Sequence, residues 1–209
     1  MKKIALIIVT YNSRAKIADC LNSVSSQNFS REALQIVLVD NNSSDSTLGY
    51  VKEKFPQIEI IANKKNVGFA EANNQGYKWA KRNNCQYLVL LNDDTIVERN
   101  WLSRLVKIMD NNPKAGAVQA KLMLYPEKEL INSFGNSLHF LGFAFCNRYR
   151  EKDREGTIQP FEIPYASGAA CILRMSALEK TGLFQDRFFM YHEDADLGWM
   201  LRLNGWKIL

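Results

Sequence analysis

The chain has 209 residues, 46% hydrophobic and 23% charged, with a formal net charge of +5 at pH 7. That is apolar residue enough for a substantial core, in one large domain or two small ones. No run approaches the ~20 apolar residues of a membrane span, and no block of five or six like charges forms a polyionic tail.

The opening Met1-Lys2-Lys3 and the apolar run after it imitate a signal peptide, but the run is short and Thr10-Tyr11-Asn12-Ser13-Arg14 offers no small-residue cleavage site. Ile4 to Val9 reads as a strand buried on both faces. Ser13 is placed to cap a helix in which Ile17, Leu21 and Val24 share a face. Ile36 to Val39 is the next buried strand, ending at Asp40, and a short helix runs from about Ser46 to Phe55, before Pro56. Ile58 to Ala62 gives a third strand. Ala70 to Arg82 gives a helix with Ala72, Gly76, Trp79 and Ala80 inward, and Tyr87 to Leu91 a fourth strand. A helix follows with Leu102, Leu105, Val106 and Met109 on one face, ending at Asn111-Asn112-Pro113.

Past residue 115 the pattern loosens into short strands, aromatics and polar loops. Only Met175 to Thr181 and Glu193 to Asn204 read as helical. The mixed-charge stretch Arg148 to Glu155 reads as a solvated loop rather than a nucleic-acid site, and no nucleic-acid partner is expected. The four cysteines are too far apart for a zinc motif, which suits reduced thiols and a cytoplasmic protein. No linker or repeat appears, so a single domain over 1–209 is expected.

Alternating strands and helices imply a mostly parallel α/β sheet flanked by helices. Ligands of such sheets bind beyond the carboxyl ends of the strands. There the strands end in TYNS, DNNSSDS and NDDT. Neither G-x-G-x-x-G nor a P-loop is present, so a bound diphosphate would need its charge met by a divalent metal on carboxylates. Asp93 and Asp94 supply such oxygens, although Asn and Asp also leave strands simply as turn residues. Three carboxylates, Glu193, Asp194 and Asp196, crowd the first turn of a helix. Helix-dipole complementarity accounts for one or two of them. Their mutual repulsion would keep at least one basic enough to accept a proton. His192 and His139 read as structural hydrogen-bonders. Asp40 can accept from a base N–H or a ribose hydroxyl. Asn66-Val67-Gly68 enters a helix through a glycine, leaving N–H groups free near the crevice, and Asn73 can serve a ligand or pair with backbone.

With these pieces in order, the sequence resembles the family 2 glycosyltransferases of GT-A fold. IIVTYNS, VLVDNNSSDST, NKKNVGFAEANNQG, LLNDDT and the long stretch from YASGAACILRM to HEDADLGWMLRLNGW carry the resemblance over nearly the whole chain. It is closest to the branch containing rhamnosyltransferases of surface-polysaccharide assembly. The resemblance implies that Thr10, Tyr11, Asn12 and Asp40 hold the nucleoside, and that Asn66, Gly68 and Asn73 line the nucleotide-sugar pocket. It places Asn92-Asp93-Asp94 at the metal motif, Gly168 against donor sugar and acceptor, and Glu193-Asp194 at the catalytic pair, Asp194 being the general base.

Asn92 replaces the first carboxylate of the metal motif, so coordination of Mg²⁺ or Mn²⁺ is expected to rest on Asp94, with Asp93 beside it. The chain stops at Gly205-Trp206-Lys207-Ile208-Leu209 as a new strand begins, so a truncated C-terminus is expected. Residues 1–95 form the expected nucleotide-sugar half and 96–209 the acceptor and catalytic half. The implied reaction is inverting transfer from a UDP- or dTDP-sugar to a hydroxyl acceptor, a saccharide or lipid-linked saccharide met at the inner face of the membrane. Its rivals are an inactive nucleotide-binding module and a sugar nucleotidyltransferase, which typically has a glycine-rich loop where TYNSRAK has none.

Overall fold

A computed structural model of the chain describes residues 2–30, 32–154, 156 and 159–209. Met1 and Glu155, part of the opening Met-Lys-Lys and of the mixed-charge stretch, lie outside the described residues. The amino-terminal part alternates β1 (Ile4–Thr10), α1 (Ile17–Ser25), β2 (Leu34–Asp40), α2 (Thr47–Lys54), β3 (Glu59–Ala62), α3 (Gly68–Arg82), β4 (Tyr87–Asn92) and α4 (Trp101–Asn111). After β5 (Ala115–Gln119) come four short strands, β6 (Leu122–Met123), β7 (Ile131–Ser133), β8 (Asn136–Leu138) and β9 (Ala144–Cys146). The chain closes with β10 (Ala170–Arg174), α5 (Met175–Thr181), α6 (Glu193–Leu203) and β11 (Lys207–Ile208).

One seven-stranded sheet has the order β11-β5-β10-β4-β1-β2-β3. β1 is parallel to β2 and β4, and β2 to β3, while β10 runs antiparallel between β4 and β5. The sheet is therefore mostly parallel, with one reversed strand wedged near its middle. Alternate residues of each strand feed two cores, as a period of two requires. Ile4, Leu6 and Ile8 of β1 pack with α1 and α4 on one face. Ala5 and Ile7 pack on the other, with Ala70 and Ala80 of α3 and Leu197 and Leu201 of α6. This two-sided burial explains why the strands read as unbroken apolar runs.

One expectation from the sequence is corrected here. Ser13 does not cap α1, whose first residue is Ile17; its hydroxyl donates instead to Asp93 Oδ2 across the crevice. The mixed-charge stretch is largely exposed, as a solvated loop would be, but it is tied down. Its backbone is laced to residues 129–131 through Arg150 N–H to Ile131, Ile131 N–H to Glu151 and Asp153 N–H to Glu129, and Arg148 stacks over Phe134. Among the described residues, no helix is long and apolar enough to cross a membrane.

Candidate active site

The register of the parallel strands sets three polar ends level. Thr10 is the partner of Asp40, and Val9 that of Asn92. Thr10 and Asp40 are buried, and Asp40 Oδ2 accepts from the Ser43 N–H at 3.1 Å while its Oδ1 is buried without a protein partner. Asn12, in the left-handed region at φ 53°, turns its Oδ1 to the Ser44 N–H at 2.8 Å and the Asp45 N–H at 3.3 Å. The loops after β1 and β2 are thereby stitched together. Tyr11 is half exposed beside them.

Asn41 was not singled out by sequence reasoning, yet it joins three elements. Its amide donates to the Gly68 carbonyl at 3.1 Å and accepts from Asn63, which in turn accepts from Gln75 of α3. A run of short polar residues after a buried strand was the available signal.

At the entry to α3, Asn66 Oδ1 accepts from the Gly68 N–H at 2.9 Å. The following N–H groups are not free, as the sequence suggested, because the Phe189 carbonyl accepts from Phe69 at 2.7 Å and from Ala70 at 3.4 Å. Unpaired N–H groups at a helix start need a partner, and a loop some 120 residues away supplies it. Gly68 sits at φ +86°, and a Cβ there would lie 2.5 Å from that carbonyl, so glycine is required. Asn73 is buried and bonds the Phe69 carbonyl of its own helix at 3.0 Å. The backbone bond engages its Nδ2.

The adjacent carboxylates of β4's end differ sharply. Asp93 turns inward to the Ser13 hydroxyl, and burial pushes its carboxyl above the ordinary range despite that bond. Asp94 is exposed, with the Lys16 ammonium 3.4 Å from Oδ2. An oxygen that already draws a cation, at a rigid strand end and open to solvent, suits a hard divalent ion. Among the described residues no cluster of three or more His, Cys, Asp or Glu surrounds a common point. Such an ion would therefore complete its shell with water and substrate phosphates, as Mg²⁺ commonly does.

The second acidic group reaches the same edge through β10. The Asn92 N–H donates to the Ala169 carbonyl at 3.0 Å, so the residue beside the two aspartates is tied to the residue after Gly168. The Gly168 N–H in turn faces Asp194 Oδ2 at 3.4 Å, and Asp194 Oδ1 accepts from Ala195 at 2.8 Å. Two clusters a hundred residues apart in sequence are thus linked through the backbone of residues 168–169. Burial raises the Asp194 carboxyl, and the two N–H groups oppose the rise. Glu193 is buried with Oε2 unpartnered, and burial pushes it up to about 7. Asp196 points elsewhere, with Oδ1 4.0 Å from Arg187. The three acids of one helical turn therefore have three separate environments.

His192 and Tyr191 both adopt positive φ, 66° and 73°, at the turn into α6. Gln119, which ends β5, was also missed. Its Oε1 accepts from the Ser167 N–H at 2.7 Å, and the buried Asn136 amide lies at the same distance from it. A polar residue closing a short apolar strand was its only mark.

Comparison with known proteins places this arrangement. The family described as "Glycosyl transferase family 2" matches residues 5–182. An N-acetylglucosaminyl-diphospho-decaprenol L-rhamnosyltransferase of Mycobacterium tuberculosis is 24% identical over 96% of this chain and 71% of its own length. A poly-beta-1,6-N-acetyl-D-glucosamine synthase of Staphylococcus epidermidis is 24% identical over 98% of this chain, which spans 47% of that relative. The mannosyltransferase PcManGT of Pyrobaculum calidifontis, solved with GDP-Man and Mn²⁺, superposes with a TM-score of 0.72 at 20% identity, over 99% of this chain and 54% of that one. The chain thus spans about half the length of the last two, and its sheet and flanking helices are those of the GT-A fold. It belongs to glycosyl transferase family 2.

Proposed function

We propose that the protein transfers a sugar from a nucleotide-diphosphate donor, a UDP- or dTDP-sugar, to a hydroxyl of a saccharide or lipid-linked saccharide acceptor, with inversion. The observation carrying this reading is the main-chain link between the strand end that bears Asp93-Asp94 and Asp194, through the Asn92–Ala169 and Gly168–Asp194 contacts. The relatives support the substrate class by their names, one acting on a diphospho-decaprenol-linked sugar and the other making a polysaccharide. Residues 1–95 serve the donor and 96–209 the acceptor and catalysis.

Asp194 takes the proton of the acceptor hydroxyl as that oxygen attacks the anomeric carbon, while the bond to the diphosphate oxygen breaks with its electron pair. Its raised carboxyl improves it as a base, and the Gly168 and Ala195 N–H groups hold its orientation. Glu193, buried beside it with a carboxyl pushed up to about 7, is roughly half protonated at pH 7 and so puts less negative charge beside the base than an ordinary carboxylate would. The partnerless Asp40 Oδ1 accepts from the nucleoside, with Thr10, Tyr11 and Asn12 around it. Asn66, Gly68 and Asn73 support that pocket by fixing the start of α3. Asp94, with Asp93 behind it, would hold a divalent cation, whose Lewis acidity stabilises charge on the departing diphosphate.

The test is a thermal-shift panel of UDP- and dTDP-sugars with and without Mn²⁺. Stabilisation by a donor that depends on Mn²⁺ is expected. Indifference to every nucleotide sugar would overturn the reading.

A further inference from the structure

β8 and β9 form a hairpin, Asn136 pairing with Cys146 and Leu138 with Ala144. Its tip is an ordered turn. The His139 N–H donates to the Phe143 carbonyl at 2.8 Å, Gly142 donates back to the His139 carbonyl at 2.8 Å, and the His139 ring lies tilted against Phe140 with centroids 4.3 Å apart. That framework holds apolar side chains out in solvent. Phe140 is 88% exposed, Leu141 65%, Phe143 58% and Phe145 54%. From residue 131 to 150 the chain has no carboxylate, and past β9 come Arg148, which pairs with Glu151, and the exposed Arg150.

The base of the hairpin is planted at the site. Asn136 is fully buried and lies 2.7 Å from Gln119, which holds Ser167 beside Gly168. Burial and the nearby Asp194 charge together raise the Cys146 thiol.

We propose that this hairpin is a membrane-docking element that seats its aromatic tip in the interfacial layer of an anionic bilayer, presenting a lipid-linked acceptor to Asp194. The inference rests on the acceptor side of the proposed function. A single turn is too small for a stable protein interface, which needs on the order of 1,000 Å². A bilayer demands no complementary groove and takes Phe and Leu to a depth of roughly 5–10 Å. The acid-free strands would then meet the headgroups without repulsion, and the exposed Arg150 just beyond β9 would gain from anionic lipid.

The experiment is co-sedimentation of the protein with phosphatidylcholine vesicles, with and without phosphatidylglycerol. Binding to the anionic vesicles is expected, reduced roughly tenfold or more in the triple variant Phe140→Ser, Leu141→Ser, Phe143→Ser. All three side chains are exposed, so the melting temperature should hold. A Phe140→Trp variant should show a blue-shifted emission, relative to wild type, when vesicles are added. Equal binding by wild type and triple variant overturns the proposal, as does absence of binding to anionic vesicles. So does light scattering showing a dimer that the triple variant dissolves, which would make a second copy the occupant. Donor binding is read separately, from the nucleotide-sugar thermal shift of the same samples. A failed donor reading leaves the vesicle result standing, and the reverse.

Discussion

The backbone N–H of Gly168 faces the carboxylate of Asp194, 3.4 Å from Oδ2. With the Ala195 N–H on Oδ1 at 2.8 Å, main-chain donors orient both oxygens of the carboxylate. Asp194→Asn is isosteric and can still accept from one N–H group. It is expected to lose a factor of about 10²–10⁴ in transfer rate while donor affinity and melting temperature stay near wild type. Turnover near wild type in this variant would remove Asp194 as the base.

Glu193 should leave a signature in stability against pH. Folding raises its carboxyl from 4.5 to about 7. Between those values the folded state holds a proton that the unfolded state has released, so stability falls as pH rises. The contribution is full below 4.5 and lost above 7, a change on the order of 3 kcal/mol. Asp194 adds to it with the same sign. Glu193→Gln should therefore flatten the decline in melting temperature between pH 5 and pH 8, and an unchanged slope would contradict the assignment.

Asp94 and Asp93 should separate in their response to metal. At a ligand concentration one hundred times Kd, binding adds about 2.7 kcal/mol to stability, or several degrees in a chain of this size. Asp94→Ala is expected to lose the Mn²⁺-dependent part of nucleotide-sugar stabilisation. Asp93→Asn should keep most of it, since Asp93 is engaged by Ser13. The reverse ranking would exchange their roles.

Gly198 and Gly49 offer opposite outcomes for one substitution. A Cβ on Gly198 would lie 2.3 Å from Tyr165 Cβ and 2.8 Å from Tyr165 Cα, so α6 must shift. Gly198→Ala should cost about 1–3 kcal/mol, partly offset by better helix propensity, and lower transfer by moving Asp194. Gly49 of α2 meets nothing within 4 Å, and Gly49→Ala should stabilise by up to about 1 kcal/mol. Denaturant midpoints of the two variants check both signs.

What could be read in the sequence, and what could not, divides along contact range. β1, β2 and β4 were legible because strands covered on both faces are continuous apolar runs, and α3 and α4 showed their inward faces by helical spacing. The level ends at Thr10, Asp40 and Asn92 follow from that parallel order. The antiparallel entry of β10 beside β4 follows from nothing local, since Ala170 to Arg174 pairs with residues some eighty positions earlier. The same holds for Phe189 at the start of α3 and for Gln119 beneath Ser167. Ser13 shows the limit from the other side, a residue suited to capping that a distant carboxylate claims. Resemblance singled out Gly168 and Asp194, while their contact came only with the fold.

The late arrival of β10 also bears on how the chain is made. β4 is among the most apolar strands, and one of its hydrogen-bonding edges has no partner until Ala170–Arg174 has been synthesised. At about 5–20 residues per second, that edge stays open on the nascent chain for roughly 4–16 s. An unpaired apolar edge is a template for association with other chains. Closure of the sheet by the reversed strand therefore also removes that template from Tyr87 to Leu91.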